Sequence, residues 1–348
     1  MYEPMTVLGG VATVPDLLRL LAVPTFAWAA YRDLQSRRVA NLTWVPLLVV
    51  GLLTLAWDVW AVLDAPAFAR RLFLIRAVVS LGVVAPLGYL FWRIGGFGGA
   101  DAKALITLAV VFPTTPAYYL PWATLPLASS RLGVLSLTVL TNTVLVGLAF
   151  PLALGVRNAL AGHRSPTMFV GKRVESASIE REYGRLLDPD GGLSRGGLDL
   201  DALRMYLRWR GTSLAALRAT PDAHRDPASI DRTHAPGDGV VDPPRDVAAG
   251  GGRPVSDGGA GDGPPYPAVR RVVHDDPWGA AAFLASIDGD AYGTTPDDLR
   301  EGLDALVDRD SVWLTPGLPF IVPMFVGLVV GLVLGDLLFL TLAVLGFA

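Results

Sequence analysis

The sequence predicts an all-α membrane protein with six transmembrane helices and a large, partly disordered cytoplasmic insert between helices 5 and 6. Hydrophobic residues make up 52% of the 348 residues and charged residues only 18%, a balance outside that of soluble domains. Apolar runs long enough to cross a hydrocarbon core of roughly 30 Å recur along the chain. A hydrophilic stretch rich in Gly, Pro, Asp and Ala separates the last run from the others.

Six apolar segments are candidates for the spans. We expect the first to be retained rather than cleaved, because no basic segment precedes it. The fourth contains four prolines, which kink or end a helix, so a shorter span followed by an irregular segment is an alternative there. The predicted spans cover residues 9–31, 42–63, 73–92, 103–126, 133–155 and 318–346.

The distribution of basic residues predicts the orientation. Loops rich in Arg and Lys stay on the cytoplasmic side. We therefore expect the insert to be cytoplasmic and both termini to lie outside. The basic residues that indicate this cluster after the first span and at the start of the insert: Arg32, Arg37, Arg38, Arg157, Arg164, Lys172 and Arg173.

The spans and the insert divide the chain into three parts. Residues 1–155 form a transmembrane domain of five spans, 156–317 the insert, and 318–348 the sixth transmembrane helix. Within the insert, residues of about 220–265 are predicted to be a disordered linker, because they contain too few apolar side chains to form a core.

Ordered segments are expected on both sides of this linker. The spacing of apolar residues predicts a helix over 199–210, which either lies on the membrane surface or packs within a small cytoplasmic subdomain. Thr295 and Pro296 have the residue types favoured at a helix N-cap and at the first helical position.

Composition excludes several chemistries. The chain contains no cysteine, so thiolate nucleophiles and thiolate metal ligands are excluded. His163, His224, His234 and His274 lie in hydrophilic sequence without the spacing of metal ligands. We therefore expect neither a metal nor a cofactor.

Acidic residues in or beside the spans are candidates for function, because a charge at bilayer depth is costly. Asp33 ends the first span and Asp101 begins the fourth, so the predicted topology places both at the inner boundary. The same counting places Asp16, Asp58 and Asp336 near the outer level.

The outer acids have a structural interpretation and a functional one. Asp16 can pair with Arg19 one turn further on, and Asp58 or Asp336 can meet Arg76. Alternatively, the three acids form the proton path of an ion-coupled transporter.

The sequences around the inner acids are more specific. Asp33 opens the segment DLQSRRVAN, and Asp101 closes GGFGGAD and precedes AKALITL. The chain resembles the archaeal type IV prepilin and preflagellin peptidases, which are GxGD-type membrane aspartic proteases with the patterns D-x-x-x-x-R-[IV]-P-N and G-x-G-D-x-K. Ala40 and Ala100 depart from those patterns. The matching residues are Asp33, Arg38, Val39, Asn41, Gly98, Asp101 and Lys103.

The resemblance implies an aspartic endopeptidase in which Asp33 and Asp101 are catalytic. It implies that the partners are prepilin or prearchaellin precursors of the archaeal type IV pilus or archaellum, which are cut at the cytoplasmic face of the cell membrane. Membrane lipid is the other expected partner, and no binding of nucleic acid is expected. Asn41 is alternatively the N-cap of the second span. The residues assigned to substrate binding or support are Arg38, Asn41, Gly98, Gly99 and Lys103.

Three other classes of protein remain open at this point, one of them a catalytically inactive receptor or scaffold whose insert binds partners. A presenilin or signal-peptide-peptidase type of intramembrane protease would share the acid pair, but would carry Y-D and L-G-L-G-D settings that differ from Tyr31-Arg32-Asp33. A transporter would instead depend on the outer acids.

Overall fold

The computed structural model describes residues 6–7, 10–36, 39–94, 96–128, 130–187, 197–239, 241, 275–287, 291–317 and 319–347. The chain forms two compact units. The first consists of Met1–Phe150 with Leu318–Ala348, and the second of Pro151–Gly317. Most of the predicted disordered linker, residues 220–265, lies outside the described residues, which contain its first part up to residue 239 and residue 241.

The described chain is mostly helical. A π-helical turn, Ser80–Val84, joins the fourth and fifth helices. The α-helices are α1 Val14–Arg19, α2 Ala22–Ser36, α3 Trp44–Leu63, α4 Ala67–Val79, α5 Ala85–Arg93, α6 Gly99–Val111, α7 Leu135–Gly147, α8 Ala149–Leu160, α9 Leu200–Arg210, α10 Leu214–Ala219, α11 Pro221–Arg225, α12 Ala280–Ser286, α13 Pro296–Asp308, α14 Ile321–Val333 and α15 Leu337–Val344.

Short antiparallel strands add to the helices, so the all-α prediction holds only for the greater part of the described chain. Two hairpins lie in the first unit, and in the second unit β7 is the central strand between β5 and β6. The strands are β1 Thr6–Val7, β2 Ala12–Thr13, β3 Tyr118–Leu120, β4 Ala123–Leu125, β5 Lys172–Glu175, β6 Arg185–Leu186 and β7 Ser311–Thr315.

Six spans are not confirmed. Within the described residues three helical stretches are long and apolar enough to cross a membrane: Asn41–Leu63, Ala67–Arg93 and Leu135–Leu160. The pair Ile321–Val333 and Leu337–Val344 makes a fourth if it is taken as one span, and its axis bends by 67°. The chain is therefore a membrane protein with three or four candidate spans in its described part.

The predicted first span is two helices rather than one. α1 ends at Arg19, and α2 begins at Ala22. Pro24 explains the break, because proline has no N–H to donate to the carbonyl of Leu20 and its ring would clash with that carbonyl. Instead, the N–H of Val23 donates a hydrogen bond to the carbonyl of Leu20, at 3.0 Å.

The predicted fourth span is also shorter than expected. α6 ends at Val111, and Phe112 and Pro113 lead into the β3–β4 hairpin. This outcome agrees with the alternative of a short helix followed by an irregular segment. The prolines decide it, because each removes a donor from the helical hydrogen-bond pattern.

The helices of the first unit share one core. α14 packs against α7 and against α2, and α6 packs against α3 and α5. Buried residues from these helices, including Phe26, Leu105, Val139 and Met324, form a continuous apolar cluster. The helix that follows the insert is therefore packed into the same core as the two helices that carry Asp33 and Asp101.

The second unit is a folded subdomain with its own core. The predicted helix at 199–210 is α9, and most of its side chains are buried, so it packs within the subdomain. The predicted cap is also confirmed: Thr295 Oγ1 accepts a hydrogen bond from the N–H of Asp298 at 3.2 Å, and Pro296 is the first residue of α13.

Candidate active site

Asp33 lies in the last turn of α2, on the face that packs into the protein. Its side chain is buried, with the residue 7% exposed. Phe26, Ala29 and Ala30 on the same helix are also buried, and they belong to the core cluster shared with α14. The packing of α2 therefore holds the Asp33 carboxyl inside the protein rather than on its surface.

Asp101 lies in the first turn of α6. Its Oδ2 accepts a hydrogen bond from the N–H of Gly98 at 3.0 Å, which fixes the carboxylate over the helix N-terminus. The positive end of the helix dipole and the exposed N–H groups favour a negative charge there. Ala102, Ala104 and Leu105, which follow Asp101 in α6, are buried.

A hydrogen bond joins the two aspartate motifs. Lys103 Nζ donates to Asn41 Oδ1 at 2.7 Å. Asn41 follows α2 in the chain, and Lys103 lies in α6, so this bond links the segment after Asp33 to the helix of Asp101. The alternative role of Asn41 as a helix cap is wrong: it is the first residue of a short 3-10 helix, Asn41–Thr43, that has no side-chain cap.

The two predicted glycines differ in how strictly the structure requires them. A Cβ atom on Gly98 would lie 3.1 Å from Asp101 Oδ2, so a side chain there would press on the carboxylate. A Cβ on Gly99 would lie 3.8 Å from Trp92 Nε1, an ordinary contact. Arg38 lies outside the described residues.

A cluster of three aromatic rings, centred on Phe97 in the segment before Asp101, was missed by the sequence reasoning. The Phe97 ring lies 4.9 Å from that of Phe91, and 4.6 Å from that of Phe320, measured between ring centroids. Phe91 belongs to α5, and Phe320 immediately precedes α14. A single aromatic residue among glycines was the only signal in the sequence.

The outer acids form a structural network. Arg19, which is 2% exposed, donates through Nη1 to Asp16 Oδ1 at 2.8 Å, through Nε to the carbonyl of Val111 at 2.8 Å, and through Nη2 to Asp58 Oδ2. The predicted pairing of Asp16 with Arg19 is confirmed. The pairing of Asp58 with Arg76 is wrong, because α1 packs against α3 and brings Arg19 to Asp58.

Asp336 also has a structural role. It is the N-cap of α15, where Oδ1 accepts hydrogen bonds from the N–H groups of Leu338 and Phe339 at 3.0 and 3.3 Å. Thr138 Oγ1 donates to Oδ2 at 3.3 Å. The predicted alternative of a contact with Arg76 is wrong, since Arg76 Nε donates to the carbonyl of Leu132 at 3.1 Å.

Fold and site together define a membrane protein in which two aspartate motifs, at the ends of two helices of one core, are joined by a hydrogen bond. The type IV leader peptidase family matches residues 20–152, a range that contains both aspartates. The archaeal peptidase A24 C-terminus, type II, matches residues 279–337, which contain α13, β7 and α14. Residues 20–152 and 279–337 are thus similar to the type IV leader peptidases, as the motifs indicated.

Curated relatives agree with this assignment. The chain is similar to the preflagellin peptidase of Methanocaldococcus jannaschii, with 26% identity over 165 residues, or 44% of this chain and 66% of the relative. It is also similar to that of Methanococcus maripaludis, with 26% identity over 166 residues, or 46% of this chain and 68% of the relative. The match thus covers about two thirds of each relative.

Proposed function

We propose that the protein is an aspartic endopeptidase that removes leader peptides from type IV prepilin- or preflagellin-like precursors at the cytoplasmic face of the membrane. Asp33 and Asp101 are the catalytic pair. The family assignment and the relatives' names support the class of reaction and the class of substrate. The hydrogen bond from Lys103 to Asn41 is the observation that carries the assignment of residues, because it joins the two motifs.

The chemistry requires a nucleophile and an acid. Two carboxyl groups held close together do not both ionise, so the pair retains one proton. The ionised member takes a proton from water as the water oxygen bonds to the peptide carbon, and the protonated member gives its proton to the carbonyl oxygen. When the C–N bond breaks, the leaving nitrogen takes up a proton from the pair, and a hydroxyl group of the intermediate returns a proton to it.

The surroundings of each acid suit this reaction. Asp33 is buried, which keeps its carboxyl group out of bulk water. Asp101 is held by the Gly98 N–H at the positive end of α6, which stabilises a carboxylate. Since a coupled pair titrates as a unit, the acid and base roles belong to the pair.

The proposed topology has six membrane segments, four of them the candidate spans and two the shorter regions around α2 and α6. Arg32, Arg93, Lys103 and Arg157 lie on the proposed cytoplasmic side, together with the insert. Both termini lie outside. Cleavage at the inner face then separates a basic leader from the apolar stretch of a precursor, and the reaction is proteolysis alone.

The test is cleavage of a synthetic peptide that carries a basic leader followed by an apolar segment. Membranes containing the full chain are compared with those containing Asp33→Asn and Asp101→Asn. Each substitution is expected to lower the rate by at least about 10³-fold, because a lone carboxyl group cannot supply both acid and base. Asp64→Asn is the control, since Asp64 is an exposed acid just after α3.

Two results would overturn the proposal. If the wild-type chain does not cut the peptide, or if Asp33→Asn cuts it as fast as Asp64→Asn does, the residue assignment or the activity is wrong. Under the transporter hypothesis, substitutions of Asp16, Asp58 and Asp336 would abolish function instead. The pairing of Arg19 with Asp16 and Asp58 argues for a structural role of those acids.

A further inference from the structure

The glycine-rich segment before Asp101 carries one large side chain, that of Phe97. Its ring contacts those of Phe91 and Phe320, at centroid distances of 4.9 and 4.6 Å, with tilted planes in both pairs. Such tilted aromatic pairs add stability beyond that from the area that they bury. Two ring contacts therefore hold the Phe97 side chain.

Backbone hydrogen bonds fix the same segment. The carbonyl of Phe91 accepts from the N–H of Gly96 at 2.7 Å and from the N–H of Phe97 at 3.1 Å. The next N–H along the chain, that of Gly98, donates to Asp101 Oδ2 at 3.0 Å. A displacement of Phe97 would therefore move the donor that holds the Asp101 carboxylate.

Phe320 connects this segment to the other aspartate. It immediately precedes α14, and α14 packs against α2, the helix that carries Asp33. Phe97 and Phe320 pack against one buried cluster, which includes Ala30 of α2. One residue thus contacts the segment that positions Asp101 and also stands at the start of a helix that supports Asp33.

We propose that Phe320 and Phe97 are positioning residues, which set the position of the Asp101 carboxylate relative to Asp33 through their ring contact. This inference rests on the proposed function. The path runs from the Phe320 ring to the Phe97 ring, then through the Gly98 N–H to Asp101 Oδ2. It gives the helix after the insert a direct part in assembling the acid pair.

The expected effect is on the chemical step. A misplacement of a reacting group by about 1 Å can lower a rate by about 10²-fold. Phe320→Ala and Phe97→Ala are therefore expected to lower kcat for the leader peptide by about 10- to 100-fold, while KM changes by less than about threefold. Phe320→Leu and Phe97→Leu, which keep much of the apolar volume but lose the ring contact, are expected to fall between wild type and alanine.

The matched control is Phe325→Ala. Phe325 lies in α14 and is partly buried against the same core. Its substitution removes a phenyl ring near Phe320 in the chain but outside the three-ring contact. Thermal unfolding of the detergent-purified full chain measures the structural cost of each variant. The inference requires a loss of kcat at Phe320 that clearly exceeds the loss at Phe325 for an equal shift in Tm.

A double substitution tests whether the two residues act as one path. Because residues in direct contact are not additive, Phe97→Ala with Phe320→Ala is expected to lose no more than about twofold beyond the worse single variant. Independent, multiplying losses would overturn the path. A rise in KM without a fall in kcat would overturn it too, and would indicate that the rings contact the substrate instead.

The outcome also separates this inference from the proposed function. If wild type cuts the peptide and Asp33→Asn and Asp101→Asn do not, the proposed function stands whatever the phenylalanine variants do. If Phe320→Ala then behaves like Phe325→Ala, only the positioning role is wrong. Failure of wild type to cut the peptide would remove the basis of both.

Discussion

Lys103 reaches from α6 to Asn41 across 62 residues of sequence, with 2.7 Å between Nζ and Oδ1. Each residue belongs to a different aspartate motif. The bond is charge-assisted, since a lysine ammonium group donates to a neutral amide oxygen. Both residues are exposed, so we assign the bond a role in alignment rather than in overall stability.

The first prediction concerns this bond. Lys103→Met and Asn41→Leu are each expected to lower the cleavage rate about fivefold, the equivalent of roughly 1 kcal/mol, and the double variant about as much. Asn41→Asp keeps an acceptor and is expected to stay near wild type. Arg93→Met, at an exposed cation at the end of α5, is the control. A loss at Lys103 without a loss at Asn41 would contradict the alignment role.

The second prediction concerns the buried arginine. Arg19→Met leaves Asp16 and Asp58 without their cation, and breaking a buried ion pair costs roughly 3–5 kcal/mol. We expect a large fall in Tm of the purified chain, which Asp16→Asn and Asp58→Asn in the same variant partly restore. Arg70→Met, at an exposed arginine, should change Tm little. An unchanged Tm for Arg19→Met would refute the network.

The third prediction concerns the bend between α14 and α15. Asn142 Nδ2 donates to the carbonyl of Gly335 at 3.0 Å, and its Oδ1 accepts from the N–H of Leu337 at 2.9 Å. Asn142→Leu removes the hydrogen-bond partner of the Gly335 carbonyl and of the Leu337 N–H, at a cost of roughly 1–3 kcal/mol each. Tm should therefore fall. Thr141→Val is the control, because that hydroxyl donates to Thr138 within its own helix.

A substitution at the same bend distinguishes the peptidase hypothesis from the transporter hypothesis. Asp336→Asn keeps the oxygen that caps α15, and should retain most cleavage activity. We expect less than about a threefold change in rate. Loss of activity as complete as that of Asp33→Asn would show that the carboxylate of Asp336 is needed for more than the cap.

The fourth prediction concerns pH and the insert. Burial raises the pKa of Asp199, the N-cap of α9, to about 6 from its ordinary value of 3.8. The folded state therefore holds this proton more tightly than the unfolded state does, so the contribution of Asp199 to the stability of the insert falls as the pH rises from 3.8 to 6 and levels off above.

Hydrogen exchange of α9, corrected for the intrinsic effect of pH, measures this change. Asp199→Asn keeps an oxygen to accept from the N–H of Asp201, as the carboxylate does at 2.8 Å. We expect this variant to flatten the dependence between pH 4 and about 6.5. The same pH dependence for wild type and Asp199→Asn in this window would contradict the assignment.

Local sequence patterns determined much of this protein. Its membrane character, the cap at Thr295 and the break of the fourth span at Pro113 follow from composition, residue type and the missing proline N–H, all of which act within a few residues. The two aspartate motifs were found in the same way. The break between α1 and α2 is also local, because Pro24 lacks the N–H that a continuous helix requires, although the sequence analysis did not predict it.

The tertiary structure alone decided which distant side chains meet. Arg19 rather than Arg76 pairs with Asp58, Lys103 reaches Asn41, and the Phe97 and Phe320 rings touch. A motif fixes the chemistry of its residues, but a contact between helices depends on which faces pack together. That choice is made by the whole core, because burial stabilises one arrangement of all the helices at once.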